Sequence, residues 1–461
     1  MNCIDCDVAI LGAGTAGLAA YRAATDAGAH AVLIDPGPGG TLCARAGCMP
    51  SKALIAAARS AHHARQAAGF GIRVGEVVVD GAAVMDRVRR ERDYFVGAVL
   101  KDVHAIPADR RITGRARFVA PDRLAVTHGP DVAAAAIVIA VGTAPTLPDL
   151  LDPVRAWVHS SDTIFDIARP PATLAVLGAG AIGLELAAAF ARLGTRVTLI
   201  DKAAAIGNIA DPDVQRVARA RLSTDIDFRL GSELRTATPT PTGAHLRWDG
   251  DSSGEGTFDC ILAAVGRPPA LDGIGLDASG LARDDHGTPH FDAATGRCGD
   301  SRIFVAGDAR GCRPVLHEAA RSGRLAGHNA ACPAAMRRDP ILPAFSVIFT
   351  DPQIVAVGCS HDALPSDTIV GTATFQDNGR VHIDGGGDGL LRLYADCDGE
   401  LLGGAIVGLD AEQIGHLLAL ALSAGLSLGD LADQPYYHPT IPEILQRAAR
   451  DALTVLDRCD R

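Results

Sequence analysis

Two cysteines five residues apart offer thiol–disulfide chemistry in this 461-residue chain. Cys43 and Cys48 stand in the stretch GGTLCARAGCMPSK, ahead of an alanine-rich run that predicts a helix. In a regular α-helix this spacing puts the two Cα atoms roughly 8.6 Å apart, whereas a disulfide requires less than about 7 Å. We therefore expect a distorted turn if the bond forms, with Gly47 freeing the backbone and Pro50 starting the regular helix. A dithiol near a helix N-terminus can exchange with other disulfides, although the spacing alone would also fit two unrelated buried cysteines.

A histidine near the C-terminus could supply the proton transfer that thiol exchange requires. His438 stands in the stretch YYHPTIPE, with Glu443 five residues later. Imidazole moves protons near neutral pH, and a carboxylate can fix its tautomer and raise its basicity. A lone histidine beside a proline is more often structural, but an exchanging dithiol needs a base that makes thiolate. The two motifs together favour a catalytic interpretation of His438.

Composition argues against several classes of function. The net charge of −11 argues against a nucleic-acid binder, and no apolar run reaches the ~18 residues that cross a bilayer. The N-terminus is acidic and lacks the cationic start of a secretory signal. We therefore interpret most of the eleven cysteines as reduced thiols of a cytoplasmic protein.

The elements that must position this chemistry begin with a strand, a glycine loop, a helix and a second strand. Residues 7–11 are apolar, residues 18–27 favour a helix, and residues 31–34 form the next apolar run. The loop glycines are Gly12, Gly14 and Gly17, and Asp35 ends the second strand. Such a loop allows a tight turn and close approach of a pyrophosphate, and the carboxylate can bind ribose hydroxyls. This region predicts a dinucleotide site.

The same unit returns later in the chain. Its glycines are Gly178, Gly180 and Gly183, and its strand-end carboxylate is Asp201. Two such units predict a bound flavin and a nicotinamide, the usual pairing for redox chemistry. An acidic residue at the strand end accepts ribose hydroxyls and repels a 2′-phosphate, so we expect NAD rather than NADP.

A third apolar strand, residues 302–306, ends in Gly307-Asp308, and a helix is predicted over residues 315–329. A carboxylate at this strand end could hydrogen-bond a ribityl chain, and the helix end could stabilise negative charge on a reduced flavin. An ordinary strand turn is the alternative for this motif taken alone.

The ordered set of these motifs resembles the class I pyridine nucleotide–disulfide oxidoreductases, and within them the dihydrolipoamide dehydrogenase group. The set comprises the first glycine loop, Cys-x4-Cys-x-Pro-Ser-Lys, the second glycine loop, Gly-Asp and His-Pro-Thr-x-x-Glu, and it spans nearly the whole chain. Further family-like stretches are IVIAVGTAP, AVGRPP and FTDP. The resemblance implies an α/β fold with two Rossmann-like domains, for FAD and NAD, and a C-terminal α+β dimerisation domain.

The resemblance also implies a role for each matching residue. Cys48 would be the thiol next to the flavin, and Cys43 the thiol that meets the substrate disulfide. His438 would be the acid/base, oriented by Glu443. Lys52 would sit at the flavin and pair with Glu185. The further cofactor-contacting residues implied are Gly40, Thr41, Gly142, Asp308 and Gly266, in addition to the loop glycines and the two strand-end aspartates.

The family pattern predicts domain boundaries and a partner. We expect a first FAD segment at residues 1–148, an NAD domain at 149–270, a return to the FAD side at 271–338 and a dimerisation domain at 339–461. The family's histidine comes from the neighbouring subunit, so an obligate homodimer follows. The implied reaction passes electrons between dihydrolipoamide and NAD⁺, with a lipoyl group, free or carried by a 2-oxoacid dehydrogenase complex, as substrate. The alternatives are a related disulfide, mercuric-ion or quinone reductase, and a flavin- and NADH-binding subunit without turnover.

The sequence departs from the family pattern in places. Tyr436 and Tyr437 precede the histidine, and residues 320–323 read Ala-Arg-Ser-Gly where acidic residues are usual. Cys3 and Cys6 form a Cys-x-x-Cys, but zinc needs four ligands and no second pair lies nearby, so we expect a frayed terminus and no metal. Cys459 is single, whereas mercuric reductases carry a C-terminal pair.

Overall fold

The structure is a computed structural model that describes residues 3–459, except for the side chain of Cys459. Its strands are β1 (Cys3–Leu11), β2 (Ala31–Asp35), β3 (Arg111–Thr113), β4 (Ala116–Ala120), β5 (Arg123–Val126), β6 (Asp131–Ile139), β7 (Val158–Ser160), β8 (Thr173–Leu177), β9 (Arg196–Asp201), β10 (Asp227–Leu230), β11 (Ser232–Thr240), β12 (Gly243–Gly250), β13 (Gly254–Phe258), β14 (Cys260–Ala263), β15 (Ile303–Val305), β16 (Phe345–Ile348), β17 (Gln353–Gly358), β18 (Ile369–Thr374), β19 (Leu390–Ala395) and β20 (Leu401–Gly408). Its α-helices are α1 (Thr15–Asp26), α2 (Leu42–Arg45), α3 (Cys48–Gln66), α4 (Gly81–His104), α5 (Ala181–Arg192), α6 (Pro212–Leu222), α7 (Leu316–Ala331), α8 (Gly379–Ile383), α9 (Ala411–Ala424), α10 (Leu428–Asp433) and α11 (Glu443–Cys459).

The contacts divide the chain into two compact units. The first comprises the residues up to Pro50, Arg89–Thr146 and Arg267–Ile341, and it holds one seven-stranded sheet. The second comprises Ser51–Val88, Leu147–Gly266 and the residues from Leu342 onward, and it holds three further sheets. The domain boundaries at 148, 270 and 338 stay predictions.

The seven-stranded sheet of the first unit has the order β3-β2-β1-β6-β5-β4, and β15 also pairs with β6. β1, β2, β3, β6 and β15 run parallel, which places their carboxyl ends at one edge. The apolar run at residues 8–11 lies in the centre, because β1 pairs with strands on both sides and is buried there.

Cys3 and Cys6 are not in a frayed terminus, and that expectation is wrong. β1 begins at Cys3 and stays in register with β6, with Cys3 opposite Asp131 and Cys6 opposite Ala134. The strand is longer than its apolar core because its polar first half pairs with the equally long β6. Burial raises the pKa of Cys6 to about 12, so its thiol is a poor nucleophile.

The second unit contains a parallel sheet of the order β10-β9-β8-β14-β7. β8, α5 and β9 form its strand–helix–strand unit, and α5 ends at Arg192. A separate antiparallel sheet, β11-β12-β13, belongs to the same unit. The two parallel sheets agree with the predicted pair of Rossmann-like folds.

The C-terminal sheet is antiparallel, in the order β16-β17-β20-β19-β18, with α9 and α11 packed on it. The apolar run at residues 416–428 is divided between two helices. Gly425, with φ +66°, ends α9, and Ser427 caps α10. These sheets and helices together confirm the α/β class with a C-terminal α+β part. Across the described residues, no helix is long and apolar enough to cross a membrane.

Candidate active site

The two cysteines of the redox motif lie on either side of a helix break in the first unit. Thr41 caps α2, with its Oγ1 accepting a hydrogen bond from Ala44 N at 3.2 Å. The helix stops at Arg45, and Ala46 leaves helical geometry with φ −136° and ψ 2°. α3 then begins at Cys48, two residues before the expected start. The cysteines therefore do not share one regular helix.

Gly47 lies inside this break, where two backbone segments come close together. A Cβ built at Gly47 would lie 3.2 Å from Leu42 O and 3.3 Å from Cys43 Cα. Those distances are tighter than most real Cβ contacts, so a side chain here would push the turn around Cys43 outward. The glycine permits the compact turn that the five-residue spacing requires.

Lys52 follows on the first turns of α3 and faces α5 within the second unit. Its Nζ donates a hydrogen bond to Glu185 Oε2 at 2.8 Å, and it lies 4.2 Å from the centroid of the Phe349 ring. Glu185 is buried, and its Oε1 accepts a hydrogen bond from Phe349 N at 2.9 Å. The structure thus brings together the pair expected from the sequence. It adds Phe349, which the sequence analysis missed because its contact to Glu185 is made by the backbone.

His438 and Glu443 also lie together. His438 Nδ1 and Glu443 Oε1 are 2.9 Å apart, and Glu443 Oε2 accepts a hydrogen bond from Thr440 N at 2.8 Å. These two hydrogen bonds hold the pKa of Glu443 below its ordinary value, and the one from Thr440 N has the larger effect. The His438 side chain is 79% exposed, so its ring is open to a molecule from outside the chain.

The two glycine loops have the same construction. In the first, Ala13 N and Gly37 N each donate to a carboxylate oxygen of Asp35 at 2.7 Å. In the second, Ala179 N and Ala203 N donate to Asp201 at 2.5 and 2.7 Å. Each strand-end carboxylate thereby holds its loop in place and keeps lone pairs for further donors.

Both loops fit a pyrophosphate. A Cβ at Gly17 would lie 1.7 Å from Gly12 O, and a Cβ at Gly183 would lie 2.0 Å from Gly178 O, so these helices pack on their loops only with glycine. Open space surrounds the middle glycines instead. Gly14 and Gly180 have no atom within 4 Å of a built Cβ, and they begin α1 and α5 without a side-chain cap. An uncapped helix N-terminus beside open space suits the phosphates of a dinucleotide.

The other expected cofactor contacts lie in the first unit, except for Gly266. Burial raises the pKa of Asp308, and the nearby charge of Arg267 opposes that shift. Gly142 has φ +70° and no atom within 4 Å of a built Cβ. A Cβ built at Gly40 would lie 3.0 Å from Val96 Cγ1. Gly266, the last residue of a segment of the second unit, has φ +131° and the same open surroundings as Gly142. The residues present therefore fit the binding of FAD and NAD.

The unusual residues on α7 have a packing role. Built Cβ atoms at Gly323 and Gly327 would lie 2.3 and 2.1 Å from the carbonyl oxygens of Ala16 and Ala20 on α1. The spacing Gly-x-x-x-Gly is the sequence signal that could have identified this close helix contact. Ser322 Oγ accepts a hydrogen bond from Gly307 N at 3.0 Å, beside Asp308.

A metal centre has no support in the residues that the structure describes. Among residues 3–459, with Cys459's side chain left aside, no group of three or more His, Cys, Asp or Glu side chains is arranged to hold an ion. The expectation about Cys459 concerns its thiol, which lies outside the part of the chain that the structure describes.

The comparisons with known proteins agree with this arrangement. Residues 6–323 match the family model described as pyridine nucleotide-disulphide oxidoreductase, and residues 344–449 match its dimerisation domain. A dihydrolipoyl dehydrogenase of Halobacterium salinarum is 33% identical over 97% of this chain and 96% of its own length. That of Haloferax volcanii is 31% identical with the same coverage, and that of Chlorobaculum tepidum is 28% identical over 97% of each chain.

Solved structures share the fold. A Cu(II) complex of the HOCl-induced flavoprotein disulfide reductase RclA from Escherichia coli has a TM-score of 0.84 at 20% identity, covering 97% of this chain and 99% of that one. LpdA from Mycobacterium tuberculosis has a TM-score of 0.83 at 21% identity, covering 98% and 99%. The matches to both parts of the family model and to full-length relatives show that this chain belongs to the class I pyridine nucleotide–disulfide oxidoreductases, which use FAD and a nicotinamide nucleotide.

Proposed function

We propose that the protein is a dihydrolipoyl dehydrogenase, which oxidises dihydrolipoamide and reduces NAD⁺. The observation that carries the proposal is the similarity over nearly the whole chain to relatives with that name, reaching 33% identity. The residues that such an enzyme requires are all in the sequence, and the two pairs that the structure brings together, Lys52–Glu185 and His438–Glu443, support it.

In the proposed reaction, Cys43 is the thiol that exchanges with the substrate. A substrate thiolate attacks the sulfur of Cys43 in the Cys43–Cys48 disulfide, and Cys48 leaves as a thiolate. The second substrate thiolate then attacks the mixed disulfide, so the substrate becomes a disulfide and Cys43 becomes a thiol. His438 accepts the proton that each substrate thiol loses and returns one to Cys43. Bound FAD would supply the acceptor for the electron pair on its way to NAD⁺.

The geometry of His438 suits this role. Glu443, ionised at neutral pH because its pKa is lowered, occupies Nδ1 and leaves Nε2 as the atom that takes the proton. Thr440 N–H holds the carboxylate from the other side, so the ring cannot turn without losing a charge-assisted hydrogen bond.

We further propose that the active enzyme is a homodimer whose histidine serves the neighbouring subunit. The match of residues 344–449 to the family's dimerisation domain supports the dimer. The exposure of His438 supports the shared site, because a ring that is 79% exposed in one chain can reach a substrate held by another.

A substrate panel tests the proposed function. The purified flavoprotein is assayed with dihydrolipoamide and NAD⁺, and with NADH and glutathione disulfide, mercuric ion or a quinone. We expect the fastest turnover with dihydrolipoamide, and a preference for NADH over NADPH because Asp201 would repel a 2′-phosphate. Faster turnover of another acceptor by at least tenfold would replace the substrate assignment while leaving the family unchanged.

A further inference from the structure

α5 carries two charged side chains that grip the same short segment of the C-terminal part. Glu185 and Arg192 are seven residues apart, which places them on one face of the helix two turns apart. Both bind residues 349–351, which we call the clamp segment. All of these residues belong to the second unit.

Arg192 holds one end of the clamp segment with two hydrogen bonds. Its Nη1 donates to Asp351 Oδ2 at 2.6 Å, and its Nη2 donates to the carbonyl oxygen of the same residue at 2.6 Å. Its Nε donates to Asp225 Oδ2 at 3.0 Å. The Arg192 side chain is only 9% exposed, so these contacts are made largely out of water.

The charge on Asp351 is secured by this arrangement. Burial alone would raise the pKa of its carboxyl group, but the charge and the hydrogen bond of Arg192 outweigh that effect, and the pKa lies below its ordinary value. Arg59 on α3 adds a smaller favourable charge, and His62 adds one only when it is protonated, because burial lowers the pKa of His62. The ion pair therefore persists through neutral pH.

Glu185 meets the other end of the segment, where Lys52 is positioned. Phe349 N donates to one oxygen of Glu185, and Lys52 Nζ donates to the other. The ring of Phe349 also faces the ammonium group at 4.2 Å. These two contacts of Lys52, to Glu185 and to Phe349, thus involve groups that belong to the clamp segment or are hydrogen-bonded to it.

We propose that Arg192 and Asp351 are positioning residues that hold the clamp segment, so that Phe349 keeps Glu185 and Lys52 in the geometry needed for hydride exchange with the nicotinamide. The inference rests on the proposed function only for the role of Lys52. It adds to that role a support two helical turns away from Glu185. A displacement of about 1 Å at such a support can cost up to ~100-fold in rate.

The chain offers a matched control in Asp225. Asp225 and Asp351 both pair with Arg192, but only Asp351 belongs to the clamp segment. Asp351→Ala therefore removes the side-chain contact of Arg192 to the segment and leaves the hydrogen bond to the carbonyl oxygen, whereas Asp225→Ala removes an ion pair of the same kind and leaves both contacts to the segment in place. Asp351→Asn keeps an acceptor for Arg192 and serves as the conservative variant.

Two measurements on the FAD-bound protein read the effect. The first is hydrogen–deuterium exchange of the Phe349 amide, which reports its hydrogen bond to Glu185. The second is the anaerobic rate of flavin reduction by NADH, which needs no disulfide substrate. We expect Asp351→Ala to speed the exchange about tenfold and to slow reduction at saturating NADH about tenfold, with the half-saturating NADH concentration unchanged.

Asp225→Ala should leave both quantities within about twofold of the wild type, and Asp351→Asn should fall between the wild type and Asp351→Ala. Equal effects of the two alanine variants on both readouts would overturn the proposal, because the ion pairs would then be only stabilising. The proposal would also be overturned if the Phe349 amide exchanged no faster in Asp351→Ala, or in Asp351→Asn, than in Asp225→Ala. If NADH does not reduce the flavin of the wild-type protein, the proposed function is contradicted instead. The hydrogen–deuterium exchange measurement still tests the role of Asp351 in that case.

Discussion

Glu443 serves two partners with its two oxygens, and this division decides what His438 can do. One oxygen holds Thr440 N–H and the other holds Nδ1 of the imidazole. Because the lowered pKa of Glu443 keeps the carboxylate ionised, Nδ1 keeps its charged partner and the imidazole has a fixed orientation. The pair is lost only when the pH falls through that lowered pKa.

Replacing the imidazole tests this role. His438→Gln should lower turnover with dihydrolipoamide by about 10²–10⁴-fold, the usual loss for a general acid–base, while NADH still reduces the flavin at the wild-type rate. Steady-state and stopped-flow kinetics measure the two steps separately. Turnover within threefold of the wild type would remove His438 from the mechanism.

The two side-chain pairs of the candidate site were expected from the sequence because their residue types and spacing match the family motifs. Lys52 and Glu185 were expected as a pair, and the structure places them 2.8 Å apart. Phe349 and Asp351 were not predictable, since one acts through its backbone N–H and the other through Arg192, a residue 159 positions away. Contacts of this kind carry no local sequence pattern.

At the scale of elements, close helix packing and a helix cap hold helices against their neighbours. α1 and α7 touch through Gly323 and Gly327, so this pair needs small residues, and Gly323 belongs to the stretch 320–323 where the family pattern suggested acidic ones. Asp211 is 1% exposed and caps α6, accepting hydrogen bonds from Asp213 N and Val214 N. Its second oxygen accepts a hydrogen bond from Tyr394 on β19 at 2.6 Å, which ties α6 to the C-terminal sheet.

Removing this cap should destabilise the second unit. Asp211→Ala is expected to lower the free energy of unfolding by about 2–4 kcal/mol, since it removes a cap and leaves the buried Tyr394 hydroxyl without an acceptor. Urea unfolding measures the loss. Asp213→Ala, in the same helical turn but only half-buried, should cost less than about 1 kcal/mol.

The pH dependence of that stabilisation follows from the pKa of Asp211. Burial would raise it, but the Tyr394 hydroxyl, the α6 backbone and Arg392 outweigh burial and lower it. A lowered folded-state pKa means that the contribution is complete above the ordinary carboxyl pKa and is lost as the pH falls through the folded value. Equal stabilities of wild type and Asp211→Ala at neutral pH would contradict this account.

At the scale of the whole molecule, the C-terminal part exposes apolar side chains that a partner could cover. Leu420 on α9 is 67% exposed and Tyr437 beside His438 is 86% exposed. Large exposed apolar side chains in a segment that matches a dimerisation domain support the proposed homodimer.

Mixing two inactive variants tests whether the site is shared. Cys43→Ser and His438→Gln proteins are each expected to be nearly inactive. In a mixed dimer, one site would combine the intact Cys43 of one subunit with the intact His438 of the other. Random exchange should therefore restore about a quarter of wild-type dihydrolipoamide turnover, because half of the dimers are mixed and each has one of two sites. No gain after demonstrated subunit exchange would show that each chain uses its own histidine.

The two strand–loop–helix–strand units followed from the sequence because a glycine loop marks each of them. The division of the last apolar run into α9 and α10 did not, since a single glycine at 425 determines it. The length of β1 was also missed, because its polar half is held by pairing with β6 rather than by an apolar pattern. Tertiary pairing decides such boundaries.

The most direct test of the central claim is the number of electrons that each chain accepts. Anaerobic titration of the FAD-bound protein with dithionite, followed by flavin absorbance, should show two electron pairs per wild-type chain, one for the Cys43–Cys48 disulfide and one for the flavin. Cys48→Ser should take up a single pair while remaining folded and flavin-bound, and it should lose dihydrolipoamide turnover. Equal electron uptake by the two proteins, or undiminished turnover in Cys48→Ser, would contradict the assignment of the dithiol as the redox centre.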